Sequence, residues 1–173
     1  GPCEIAFDNQ TLTVSGGGSI GGAATGIKVL TGVITAGGIL NAGTVLGSNY
    51  GISVLSGSTF SGDIVNSGYL SSLKNAGVIN GEVIDSGWIA SGVTNSGQMN
   101  GSYGLNIGSG ASLLGGLLNS GSMGTTGGVA GLVVNPNATL SDGVNNSGTM
   151  LGYMGLSIYA SQLQGGLTNS GLI

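Results

Sequence analysis

The chain has 173 residues, 39 of them Gly, with two Lys, six Asp or Glu, no His and a formal net charge of −4. Two lysines cannot neutralise a phosphate backbone, which excludes nucleic acid as a partner, and a chain without His and with one Cys offers no transition-metal cluster. Glycine at this level can signal disorder, but the mean hydropathy of +0.42 and recurrent apolar columns require a packed core.

Gly1-Pro2 reads as an expression-tag scar, so the missing export signal is uninformative, and residues 3–173 read as one domain with an N-terminal cap over about 3–16. Cys3, the only cysteine, permits no internal disulfide and has no His to activate it as a nucleophile. Ile5, Phe7, Leu12 and Val14 predict a capping hairpin or first strand around a turn at Asp8-Asn9. Gly16-Gly17-Gly18-Ser19-Ile20-Gly21 matches the dinucleotide fingerprint by letter. No helix start follows it and Asn41 stands where an acidic residue belongs, so phosphate binding is rejected.

From Ile39 onward one motif recurs eight times, centred on Asn41, Asn66, Asn75, Asp85, Asn95, Asn119, Asn146 and Asn169. Gly follows two residues later each time, at Gly43, Gly68, Gly77, Gly87, Gly97, Gly121, Gly148 and Gly171, marking a backbone position that needs positive φ or close approach. The position two before the Asn is always apolar, from Ile39 and Ile64 to Leu167, and so is the position four after it, from Val45 and Leu70 to Ile173. The columns beside these vary freely, which is strand alternation across a turn. Period two also sends the Asn inward. A lone buried amide is costly, whereas amides stacked coil upon coil can bond one another as a corner ladder. Asp85 is the one departure from that ladder.

Between these corners a weaker unit begins with Ile52-Ser53-Val54, Leu105-Asn106-Ile107, Leu132-Val133-Val134 or Leu156-Ser157-Ile158. It ends with Ser58-Thr59-Phe60, Ala111-Ser112-Leu113, Ala138-Thr139-Leu140 or Ser161-Gln162-Leu163. Spacings of 25, 24, 27 and 23 residues between Asn centres predict coils of three short strands and three turns. The 29 residues from Asn66 to Asn95 carry extra motifs and read either as one enlarged coil or as two short ones. The fold class is therefore all-β, a parallel β-helix of about seven coils of roughly 20–29 residues, right-handed because parallel crossovers are. Strands about 4.8 Å apart make it a rod of roughly 30–40 Å. Gly and Ser interrupt every apolar run well short of the ~18 residues of a membrane span. The chain stops in mid-motif at Asn169-Ser170-Gly171-Leu172-Ile173 without a polar cap, as expected of a fragment of a longer array.

Motifs such as Val144-Asn145-Asn146-Ser147-Gly148-Thr149-Met150, spaced 20–30 residues apart with Gly-Gly turns, resemble the passenger β-helix of bacterial autotransporter (type V secretion) adhesins over nearly the whole chain. The resemblance implies export through the periplasm and display on the bacterial cell surface by an outer-membrane β-barrel outside this sequence. It also implies virulence-type adhesion, autoaggregation or biofilm formation. The implied partner is a host surface glycan or protein, or a second copy of the chain. The catalytic residues of protease-bearing members have no counterpart here.

Glu4, Asp8, Asp63, Glu82, Asp85 and Asp142, with Lys28 and Lys74, are scattered singly. Neither two-carboxylate hydrolysis nor metal-assisted proton abstraction suits them, so no enzyme, metal or cofactor is expected. Asp63 and Glu82, and likewise Tyr69 and Trp88, are 19 residues apart and become neighbours if the coils are short. Outward aromatic rings suit sugar faces or protein hot spots, which makes Tyr69 and Trp88 the candidate binding residues. Tyr50, Tyr103, Tyr153 and Tyr159 are weaker candidates. Aligned outward Thr would suggest ice binding, but these columns are mixed. Two readings stand: an adhesin or self-association module, and a structural stalk presenting a distal domain. A polysaccharide-degrading β-helix is a distant third.

Overall fold

A computed structural model describes residues 1–5, 11–32 and 34–173. Among them there is no helix, and every pairing between strands is parallel. Four sheets run along the rod. Sheet A holds Cys3–Ile5, Thr25–Val29, Tyr50–Val54, Leu73–Asn75, Val93–Asn95, Leu117–Asn119, Val144–Asn146 and Leu167–Asn169. Sheet B holds Leu12–Val14, Ile39–Asn41, Ile64–Asn66, Val83–Asp85, Tyr103–Ile107, Ala130–Val134 and Met154–Ile158. Sheet C starts at Ser19–Gly22 and ends at Gln162–Leu163, and sheet D runs from Ile34–Thr35 to Thr149–Met150.

The chain passes B, C, A, D and back to B, about seven times, so the molecule is a β-solenoid of about seven coils. Each coil has four short strands, where three were expected. The reason is visible in Val83-Ile84-Asp85-Ser86-Gly87-Trp88-Ile89 and Val93-Thr94-Asn95-Ser96-Gly97-Gln98-Met99. The first spans the corner from B to C, the second the corner from A to D, and together they make one turn of the solenoid. A coil is thus two half-coils built on the same motif. This decides the stretch from Asn66 to Asn95: Asn66 pairs with Asp85, 19 residues on, and Asn75 with Asn95, 20 residues on. The stretch is three half-coils, one and a half short turns, and so neither one enlarged coil nor two complete ones.

The weaker unit is a second type of corner. Val54-Leu55-Ser56-Gly57-Ser58-Thr59 and Ile107-Gly108-Ser109-Gly110-Ala111-Ser112 take two residues more than the Asn corner, with Gly57 and Gly110 at φ of 77° and 74°. They put Val54 or Ile107 in the Asn register and fill the widened space with buried Ser58 or Ala111. On the B to C side the corners are wide at Val14, tight at Asn41, Asn66 and Asp85, and wide again from Ile107. On the A to D side they turn tight at Asn75 and stay so to Asn169.

The glycines of the tight corner are demanded by close approach alone. None of the eight has positive φ, but a Cβ on Gly97 would stand 2.0 Å from the carbonyl oxygen of Gly77, and one on Gly121 2.0 Å from that of Gly97. Coil stacks on coil through bare backbone there.

Inside, like stacks on like. Phe60, Ile79, Met99, Met123 and Met150 form one column in register on sheet D, each at most 1% exposed. At the N-terminus, Cys3–Ile5 pairs with Thr25–Val29 and Leu12–Val14 with Ile39–Asn41. These are first strands of two sheets and do not pair as a hairpin; Phe7 and the turn at Asp8-Asn9 lie outside the described residues. Cys3 is a free, partly buried thiol packed against the core.

Candidate binding surface

The eight motif centres, seven Asn and Asp85, fall on two separate corners. On the B to C corner Asn41 Nδ2 donates to Asn66 Oδ1 at 2.7 Å and to the Tyr69 carbonyl at 3.0 Å. Asn66 Nδ2 donates to Asp85 Oδ1 at 2.8 Å and to the Trp88 carbonyl at 3.2 Å. On the A to D corner a longer ladder runs Asn75, Asn95, Asn119, Asn146, Asn169, with Nδ2 to Oδ1 distances of 2.9, 2.8, 2.7 and 2.8 Å. Each of the first four also donates to a backbone carbonyl one coil on, of Gln98, Ser122, Thr149 and Leu172 in turn. The Oδ1 atoms of Asn41 and Asn75 accept from the N–H of Gly43 and Gly77, the Asx turn that bends the chain. These residues hold the corners; all but Asn169 are fully buried.

Splitting the copies by corner changes what the outer face looks like. Just before the A to D centres stand Lys74, Thr94, Leu118, Asn145 and Thr168, a mixed column. Before the B to C centres stand Leu40, Val65 and Ile84, all apolar, in register and outward. Around the same corner, Thr44, Tyr69 and Trp88 follow in register on sheet C. Tyr69 and Trp88 are therefore nearest neighbours on adjacent coils. Trp88 is 54% exposed and Leu40 41%, with Val65, Ile84 and Tyr69 half-buried. Between the two columns the corner shows only exposed Ala42, Ser67 and Ser86. Three tight coils thus carry a ridge three residues wide without a charge on it. The aliphatic half was hidden in the sequence because eight copies pooled into one column average two different faces.

Among the described residues the charged side chains lie off this ridge. Asp63 and Glu82 do meet on successive coils, at the turn from D to B, where Glu82 N–H donates to Asp63 Oδ1 at 2.8 Å. That carboxylate caps a turn. Lys74 Nζ sits 4.8 Å from the centre of the Tyr50 ring and 3.4 Å from its hydroxyl, a cation–π contact on sheet A. Among the described residues no three His, Cys, Asp or Glu come together as a metal site, and no helix is long and apolar enough to cross a membrane. Tyr103 is half-buried, whereas Tyr153 and Tyr159 are exposed at the two ends of the last sheet B strand, Tyr159 on the same B to C corner as the ridge but three coils beyond Ser86.

Among the described residues Asp85 is the one fully buried acid. Its Oδ1 accepts from Asn66 and from Gly87 N–H at 3.1 Å, but its Oδ2, equally buried, has no hydrogen-bond partner. Burial pushes its carboxyl up from 3.8 to about 6, and those two hydrogen bonds only partly oppose the rise.

Comparison with family models, with known proteins and with solved structures finds no match to any of them.

Proposed function

We propose that this solenoid is the adhesive or self-associating part of a surface-displayed passenger, and that the ridge of the three tight coils is its contact surface. The observation that carries the reading is the in-register pair Tyr69 and Trp88 beside Leu40, Val65 and Ile84. Two flat rings on adjacent rungs match stacked sugar rings or an extended protein segment, and an uncharged, partly apolar surround is inexpensive to desolvate. The small hydroxyl side chains of Thr44, Ser67 and Ser86 supply hydrogen bonds without steric bulk. The resemblance of the Asn-Ser-Gly repeats to autotransporter passengers suggests the bacterial cell surface as the location and a host glycan, a host protein or another copy as the partner.

The test is bacteria displaying the parent protein, with and without Tyr69→Ala and Trp88→Ala, scored for clumping and for binding to glycan and matrix-protein arrays. Both rings point outward, so circular dichroism should be unchanged. Loss of a contact ring at a hot spot costs about 2 kcal/mol, roughly 30-fold in binding. Unaltered clumping and binding in the double variant would remove the ridge as the contact surface.

The second reading is a stalk that holds a distal domain away from the cell. It is favoured by the bland outer column of sheet D, where Thr59, Val78, Gln98, Ser122 and Thr149 follow one another. Deleting whole coils distinguishes the two: a stalk loses reach only, an adhesin loses binding when the coils of Tyr69 and Trp88 go.

A further inference from the structure

Asp85 stands where the B to C ladder ends. The strand before it in the sheet carries Asn66 in the same register; the strand after it carries Ile107, which has no acceptor to offer. Asn41 and Asn66 each make a second bond to a sheet C carbonyl one coil on, of Tyr69 and Trp88. The sheet C residue in that register for Asp85 is Ser112. Asp85 Oδ2 takes the place of the amide nitrogen in this pattern, fully buried and unpartnered. By that pattern a carboxylate oxygen there would confront the Ser112 carbonyl oxygen, acceptor against acceptor. A carboxyl O–H reproduces the amide's bond.

We propose that Asp85 is a proton-operated joint between its own coil and the next. As the neutral acid, protonated from solvent at Oδ2, it donates to the Ser112 carbonyl and closes the B to C corner. As the carboxylate it leaves the corner without that side-chain bond, held by backbone bonds alone, and the coil beginning at Tyr103 parts from it more readily. A buried carboxylic acid held neutral so that it can donate a hydrogen bond is a known use of an apolar site.

Among the described residues no other charge intervenes. Sheet A turns Leu73, Asn75, Val93 and Asn95 inward, sheet C turns Ile89, and the strand Tyr103–Ile107 turns Leu105 and Ile107. Asp63 and Glu82 stand at the exposed turn before the strands of Asn66 and Asp85, and Lys74 is occupied on the outer face by Tyr50. Desolvation, which raises the carboxyl, therefore acts without a compensating cation.

Native-state hydrogen exchange on the full chain tests the joint. The amides of Gly108 and Ser112, which donate to the Asp85 and Gly87 carbonyls at 2.6 and 2.9 Å, report its opening. After correction for intrinsic chemistry, their opening constants should rise about 100-fold between pH 4 and pH 7.5, the factor for two pKa units. In Asp85→Asn they should be flat. Ser120, whose N–H donates to the Asn95 carbonyl at 2.8 Å in the all-Asn ladder, should be flat in both proteins. Equal pH dependence in wild type and variant overturns the proposal. So does an Asp85→Asn chain that fails to fold, because an amide should fit the site at least as well as the acid. A carbon-13 titration of the Asp85 carboxyl is independent of the variant: a midpoint near 6 supports the joint, and one in the usual carboxylate range refutes it.

Discussion

Replacing Asn119 by Ala removes the middle rung of the five-rung ladder. Asn119 is fully buried, accepts from Asn95 at 2.8 Å, and donates to Asn146 Oδ1 at 2.7 Å and to the Thr149 carbonyl at 3.2 Å. The variant leaves Asn146 Oδ1 without that donor and Asn95 Nδ2 with only the Ser122 carbonyl at 3.0 Å. A buried polar atom without a partner costs about 1–3 kcal/mol, and each bond lost about 1 kcal/mol net, so Asn119→Ala should cost about 3 kcal/mol. Asn169→Ala, at the exposed end of the same ladder, loses the bond from Asn146 and its turn bond to Gly171, and should cost about 1 kcal/mol. Urea unfolding followed by circular dichroism and Trp88 fluorescence gives both values if the slope is unchanged. Equal losses, or a loss under about 1 kcal/mol at Asn119, would show that the amides merely fill the corner and that their bonds add nothing over water.

Gly97→Ala should destabilise by about 3 kcal/mol or more, since its Cβ would lie 2.0 Å from the Gly77 carbonyl oxygen and no flexible group can yield. Exposed Ser96→Ala beside it should stay within about 0.5 kcal/mol; thermal melts of the pair check both. Phe60→Ala, emptying a fully buried site on the sheet D column, should cost about 3–5 kcal/mol in the same unfolding assay. Asp85→Asn should raise stability at neutral pH and not at pH 4. The folded carboxyl rises from 3.8 to about 6, so the stability Asp85 contributes is complete below 3.8 and lost as pH climbs through 6. That difference is worth about 3 kcal/mol, and urea midpoints for wild type and variant across pH 4–8 measure it.

Stacked parallel coils were legible in the sequence because Gly43 to Gly171, with their flanking apolar columns, repeat at a side-chain period of two across a fixed corner. The number of strands per coil was not, for a physical reason: the same motif turns either corner, so Asn66 and Asn75 look like consecutive rungs when they stand on different ladders. Only coil pairing separates them. The glycines were legible as obligatory, but close approach and positive φ leave the same mark on a sequence, and only backbone stacking of Gly97 on Gly77 distinguishes the two. At the ridge, Tyr69 and Trp88 could be paired from their 19-residue spacing. Leu40, Val65 and Ile84 could not, because their uniformity appears only when the tight corners are sorted by side. Asp85 stood out as the one acid among amides, while its unpartnered oxygen follows from Ile107 being next in register.

The equivalence of the two half-coils has a consequence for how such a chain can change length. Duplicating or deleting two consecutive half-coils adds or removes a full revolution and returns every later residue to the same side of the rod. Gaining or losing a single half-coil is no worse for the interior, since either corner accepts the motif, but it carries every residue downstream to the opposite side. An aromatic pair such as Tyr69 and Trp88 would then face away from the surface it had served. Recombination in this array is thus forgiving of the core and unforgiving of the exterior, and sister proteins that differ by an odd number of half-coils should fold alike while presenting different sides to the world.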